Sequence, residues 1–187
     1  MSRPELGSAA KNILLTGRPG SGKTTVVEAI VRRFAADAGG FVTGEIREKG
    51  IRTGFRITTL DGRSALLAHV NSRSPVRVGK YGVNVSDFER LALPAIENAV
   101  QRKRLVVIDE IGRMEMTSDA FCQAVRDALD ARPIVLATIQ QHTQSFTDQI
   151  KKRRDVALFQ ITPGTRNVLA AAIENMMSKM LQSGAAL

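Results

Sequence analysis

The chain has 187 residues, 43% of them apolar and 24% charged, which excludes a disordered class and suits a single domain with a sizeable core. One cysteine, Cys122, excludes a disulfide framework within the chain and fits a reducing cytoplasm, and no apolar run approaches the ~20 residues needed to span a bilayer. The formal net charge of +9 reads as a nucleic-acid surface, as attraction of a polyanion such as a nucleoside triphosphate, or as plain composition. The basic residues are spread along the chain and aromatics, at 4%, do not alternate with them, so the nucleotide is preferred over a base-stacking nucleic-acid surface.

Met1 to Lys11 has no apolar centre and reads as a loose tail rather than a secretory signal, as does Ser183 to Leu187. The first element is a buried strand, Ile13-Leu14-Leu15, and a helix is predicted over Thr25 to Phe34. Between them stands Gly17-Arg18-Pro19-Gly20-Ser21-Gly22-Lys23-Thr24, the spacing of a phosphate-binding loop in the context that loop requires. The glycines let backbone N–H groups face an anion with no Cβ in the way. The helix starting near Lys23 aims its N-terminal dipole at the same anion. Lys23 is placed to reach the β- and γ-phosphates, and the Thr24 hydroxyl to ligate Mg²⁺.

The period then changes. Phe41 to Arg47, Gly54 to Leu60 and Ser64 to Val70 read as three strands, with Asp61-Gly62 as a two-residue hairpin turn. Strands this close cannot be parallel, so residues 41–70 are predicted to form an antiparallel meander inserted after the phosphate-loop helix. Residues 71–85 read as a long irregular basic loop.

From Ser86 the chain alternates helix and strand. Ser86 and Glu89 have capping-box spacing, before a helix with Phe88, Leu91, Ile96, Ala99 and Val100 inward. Leu105 to Ile108 reads as a buried strand, Thr117 to Ala131 as a helix with Phe121, Val125, Ala128 and Leu129 inward, and Ile134 to Ile139 as a strand. Thr143 to Arg154 reads as a helix, Ala157 to Ile161 as the last strand, and Thr165 to Met180 as the last helix. In that helix Val168, Leu169, Ala172, Ile173, Met176, Met177 and Met180 form a core stripe. The alternation predicts an α/β fold, a mostly parallel sheet covered by helices on both faces.

The second constellation is Asp109-Glu110, two acids after four apolar residues. Asp109 is the candidate second Mg²⁺ contact, and Glu110, where the strand ends, the candidate base for an attacking water. Lys80, Arg113, Arg153 and Arg154 are candidates to neutralise charge on a transferring phosphoryl group, Lys80 foremost because it lies in a Gly-flanked loop. His69 and His142 have no metal-ligand spacing.

Three segments together suggest a family: Gly17 to Thr25, Val78-Gly79-Lys80-Tyr81-Gly82-Val83, and Asp109-Glu110-Ile111-Gly112-Arg113-Met114-Glu115. With Thr43-Gly44-Glu45 they resemble the thermophile-type nucleoside-triphosphatase family of P-loop proteins, over roughly Asn12 to Met177. The resemblance implies a Mg²⁺-dependent phosphohydrolase that accepts ATP, GTP and other nucleoside triphosphates and turns over slowly. It implies that Gly17, Arg18, Pro19, Gly20, Ser21, Gly22, Lys23, Thr24 and Thr25 bind nucleotide, that Thr24 and Asp109 bind the metal, and that Lys23 and Glu110 are catalytic. The family's late base-side motif reads Thr-Pro, an acid, then Asn-Arg. Here it is Thr162-Pro163-Gly164-Thr165-Arg166-Asn167, which keeps Arg166 as a nucleotide contact and departs at Gly164 and Thr165.

The leading expectation is hydrolysis of nucleoside triphosphates in the cytoplasm. A nucleoside or nucleotide kinase, with the basic 146–155 segment as a lid, is the alternative. A nucleotide-dependent switch or nucleic-acid-binding protein is the third.

Overall fold

The computed structural model describes residues 10–183. Its frame is one nine-stranded sheet. In chain order the strands and helices are β1 (Asn12–Thr16), α1 (Lys23–Arg33), β2 (Ala38–Glu48), β3 (Ile51–Thr59), β4 (Ser64–His69), β5 (Arg77–Val78), β6 (Tyr81–Val83), α2 (Val85–Arg102), β7 (Leu105–Ile111), α3 (Asp119–Asp130), β8 (Ile134–Ile139), α4 (Ser145–Lys151), β9 (Val156–Gln160) and α5 (Arg166–Gln182). A single 3-10 turn, Glu115–Thr117, joins β7 to α3.

The strand order is β5-β6-β4-β3-β2-β7-β8-β1-β9. The five strands from β2 to β9 in that order pair in parallel, while β3, β4, β6 and β5 extend the same sheet antiparallel. The meander is therefore a continuation of the central sheet, with β2 belonging to both halves.

The parallel strands are apolar on both sides because helices cover both faces. Ile13, Leu15, Leu105, Val107, Ile134 and Leu136 pack under α1 and α5. Leu14, Val106, Ile108, Val135 and Ala137 pack on the other face with Phe88 and Ala92 of α2 and Phe121 and Val125 of α3. Phe41, Phe88 and Phe121 meet there, with ring centroids 5.2–6.2 Å apart.

Local chemistry moves several predicted features. The β3–β4 turn spans four residues, closed by bonds between Thr59 and Arg63, and is not a two-residue Asp61-Gly62 hairpin. Residues 71–85 include the short hairpin β5–β6, bonded to β4. Ser86 lies inside α2, whose N-cap is Asn84, and Glu89 instead accepts from Ser118 Oγ, so there is no capping box. Ser118 caps α3. Helix α4 spans only Ser145–Lys151, shorter than the expected Thr143 to Arg154, with Thr147 and Ile150 buried. In α5, Ile173, Met177 and Leu181 are the buried positions and Val168 faces outward. Lys11 is anchored rather than loose, its ammonium donating to Leu129 O and Ala131 O. Met1 to Ala9 and the chain after Ser183, the rest of the expected tails, lie outside the described residues.

Candidate active site

The loop from Gly17 to Gly22 joins β1 to α1 at the carboxyl end of the parallel strands. Gly22 is the N-cap of α1 with φ 94°, a left-handed conformation that a side chain resists. Gly17 is required by space: a Cβ there would strike the Ile161 carbonyl oxygen and lie 2.8 Å from Ser21 Oγ. Lys23 Nζ donates to Gly17 O at 3.2 Å, which holds the ammonium across the loop. Thr24 is half-buried in the first turn of α1, whereas Arg18, Pro19 and Thr25 are exposed.

Asp109 reaches this loop across an intervening strand, since β8 lies between β7 and β1. Its side chain is buried, and Oδ1 accepts from Thr138 Oγ1 of β8 at 2.6 Å. Oδ2 is buried with no protein partner, as are Thr16 Oγ1 and Ser21 Oγ. Buried polar atoms left unpaired are uncommon and mark places where a ligand completes the bonding. Burial pushes the Asp109 carboxyl up to about 6. The Thr138 bond opposes that shift, Glu110 adds to it, and Thr24 and Lys23 oppose it.

Strand β7 does not end at Glu110, as the sequence suggests; it continues to Ile111. Ile108 pairs with Ala137 and Ile111 with Ile139, three steps on β7 against two on β8. This bulge puts both isoleucines into the core under α2 and α3, where strict alternation would separate them. Between them, Asp109 and Glu110 are both left out of that core, Asp109 buried and Glu110 half-buried one residue before the strand ends.

Arg166 opens α5 and its side chain lies over Gly22; a Cβ on Gly22 would run into it. The start of α5 is held by reciprocal bonds, Thr162 N–H to Thr165 Oγ1 at 3.1 Å and Thr165 N–H to Thr162 Oγ1 at 3.2 Å. The predicted base-side arginine thus sits against the phosphate loop itself.

Of the other candidate cations, Arg153, Arg154 and Lys80 do not gather here. Arg153 is tied to Asp130 and Asp155, and Asp155 bonds Asn12 at the start of β1, the opposite end of the strand from the loop. Arg154 lies in the same turn. Lys80 sits in the β5–β6 hairpin, six strands away from β1. Arg113 is exposed on the turn after β7. Sequence reasoning missed the bond from Thr138 to Asp109 and, though Glu115 lay in the family-like segment, its burial. Thr138 had a readable signal, a polar residue in an apolar strand. The burial of Glu115 had none, because its turn follows an irregular stretch.

A glycine-lined loop closing a parallel strand onto a helix N-terminus, faced by a buried aspartate from a nearby strand, defines a P-loop α/β protein. The chain belongs to the NTPase family whose model, NTPase_1, matches residues 12–174. It is 44% identical over 165 residues to nucleoside-triphosphatase THEP1 of Thermotoga sp. (strain RQ2), covering 88% of this chain and 94% of that one. It is 38% identical over 176 residues to the human cancer-related nucleoside-triphosphatase, covering 86% and 93%. The crystal structure of THEP1 from Aquifex aeolicus superposes with a TM-score of 0.80 at 39% identity, covering 87% of this chain and 96% of that one.

Proposed function

We propose that this chain is an enzyme that hydrolyses nucleoside triphosphates to nucleoside diphosphate and phosphate in the cytoplasm, with Mg²⁺, broad base acceptance and slow turnover. The observation that carries the reading is the buried, unpartnered Asp109 Oδ2 at the start of the phosphate-loop helix, one residue from the half-buried Glu110.

The donor set suits Mg²⁺. Thr24 and Asp109 offer oxygen only, and among the described residues no group of three or more His, Cys, Asp or Glu could hold a metal ion. Mg²⁺ takes one or two protein oxygens and leaves the remaining positions to water and phosphates. When bound, it supplies positive charge against the phosphate oxygens.

The chain's own residues do the rest. Loop N–H groups from Gly17 to Thr24 orient the triphosphate, with Thr25 flanking them, while Lys23, bonded to Gly17 O, and Arg166, lying against Gly22, bring charge to it. Thr138 fixes the rotamer of Asp109. Glu110 accepts a proton from the attacking water. Little covalent work falls to the protein, since phosphoryl transfer is accelerated by positioning and charge stabilisation.

The test is phosphate release from ATP, GTP, CTP and UTP with Mg²⁺, with and without a panel of nucleosides and monophosphates. Free phosphate without acceptor, at similar rates for the four bases, is expected. A phosphorylated acceptor formed faster than free phosphate would make the protein a kinase instead.

A further inference from the structure

Arg126 of α3 is a half-buried cation that the scheme above leaves unused. Its guanidinium lies 4.8 Å from the ring centroid of Phe146 on α4 and has no hydrogen-bond or ion-pair partner among the described residues. It lines a cleft of about 520 Å³ between α3 and α4, a volume in the range of small-molecule sites. Phe121, Val125 and Phe146 pack on one face of the sheet, whereas the phosphate loop leads into α1 on the other. The cleft is therefore separate from the place where the triphosphate binds.

Helix α3 turns one stripe of side chains toward the cleft: Asp119, Cys122, Gln123 and Arg126, spaced i, i+3, i+4 and i+7. Asp119 and Arg126 stand seven residues apart, about 10 Å along the helix axis. Asp119 is exposed, and its carboxylate too has no side-chain partner among the described residues. Between the two charges the lining is uncharged. Burial pushes the Cys122 thiol up, which keeps it protonated, and Met116 and Phe146 add apolar surface. Helix α4 and the residue before it supply amides. Gln144 Oε1 accepts from Gln140 at 2.8 Å, so its own N–H groups are available, and Gln149 Nε2 donates to Ser145 Oγ at 3.5 Å, so its carbonyl is available.

We propose that the α3–α4 cleft binds a short peptide with free termini, about three residues long, with its carboxylate on Arg126 and its ammonium at Asp119. Three extended residues span about 10 Å, the separation of the two charges along α3. A guanidinium donates two parallel N–H bonds to a carboxylate, which fits the unpaired Arg126. The glutamine amides match peptide C=O and N–H groups, and the thiol, thioether and ring give a side chain apolar contact. One cation facing one anion suits a zwitterion. A phosphate ester, with nearly two negative charges, would meet a single cation and the Asp119 carboxylate. The site does not depend on the hydrolytic reading.

The sequence holds one cysteine, Cys122, and it lines the cleft, so its alkylation reports occupancy of that place alone. The experiment pairs isothermal titration with protection of Cys122 from iodoacetamide. The probes are trialanine, N-acetyl-trialanine amide, which lacks both charges, AMP, and inorganic phosphate. Trialanine is expected to bind and to slow alkylation, and to do so equally in Lys23→Ala, whose phosphate loop is impaired. Arg126→Met and Asp119→Asn should each weaken trialanine binding about tenfold, the loss of one charge-assisted contact. No binding of trialanine, equal binding of the blocked peptide, or either variant at the parent affinity would overturn the proposal. Loss of trialanine binding in Lys23→Ala would also overturn it, by moving the peptide to the phosphate loop. So would protection of Cys122 by AMP or phosphate in place of trialanine, which would make the cleft a site for phosphorylated ligands. Asp119 is exposed, so Asp119→Asn carries the test if Arg126→Met does not fold.

Discussion

Thr138 Oγ1 donates to Asp109 Oδ1 at 2.6 Å, from the strand that separates Asp109 from the phosphate loop. The bond occupies one carboxylate oxygen and leaves the other free of protein partners. Thr138→Val keeps the shape of the side chain and removes the donor. It should raise the Mg²⁺ concentration for half-maximal hydrolysis about tenfold. Chemical denaturation should show a loss of about 1–3 kcal/mol, the cost of leaving a buried acceptor unsatisfied.

Glu110→Gln should lower kcat by roughly 10²–10⁴ while sparing Mg–nucleotide affinity, the range for loss of a positioned general base. Asp109→Asn should act differently, shifting the Mg²⁺ dependence. Single-turnover hydrolysis beside equilibrium binding at several Mg²⁺ concentrations separates the two. Equal behaviour of the two variants would contradict the division of roles.

Lys23→Ala and Arg166→Ala are expected to divide in another way. Lys23 spans the loop to Gly17 O, so its loss should weaken triphosphate binding and slow hydrolysis together. Arg166 lies over Gly22, so its loss should raise KM about tenfold with a smaller change in kcat. Isothermal titration with a non-hydrolysable triphosphate, set beside steady-state rates, reads both.

The pH dependence of stability has a defined sign. Glu115 is raised from 4.5 to about 8. Between those values the folded protein binds more protons than the unfolded chain, so stability falls as pH climbs through that window and is lowest above it. Asp109, raised to about 6, acts in the same direction over a lower span. Denaturation in EDTA without nucleotide should show the decline, and Glu115→Gln should flatten it above about pH 6. A parent protein that gains stability from pH 6 to pH 8 would contradict the burial of Glu115 as a neutral acid.

The phosphate loop was legible because its chemistry is local: three glycines, a lysine and a threonine at fixed spacing between strand and helix. Helix α3 was legible for the same kind of reason, since Phe121, Val125, Ala128 and Leu129 are all buried as their period requires. What the sequence hid depends on distant partners. Ser86 and Glu89 have the spacing of a capping box, yet Glu89 is taken by Ser118 from another element. Lys80 lies within a family-like segment, yet the antiparallel strands carry it to the far side of the sheet. That Ile108 and Ile111 share one core face, with Glu110 half-buried between them, depends on a bulge, a register feature set by pairing with β8 and invisible to alternation along β7 alone.

Strand β2 is hydrogen-bonded on one edge to β7 and on the other to β3. Ile57 and Leu67 of the antiparallel half share a core with Phe88, Phe121 and Ile111. The molecule consequently has no seam. Trimming the antiparallel strands to reach a minimal catalytic fragment would leave a raw sheet edge one strand from Asp109 and strip apolar cover from the core around Phe88, Phe121 and Ile111. A shortened version of this chain would have to rebuild that flank before it could rebuild the chemistry.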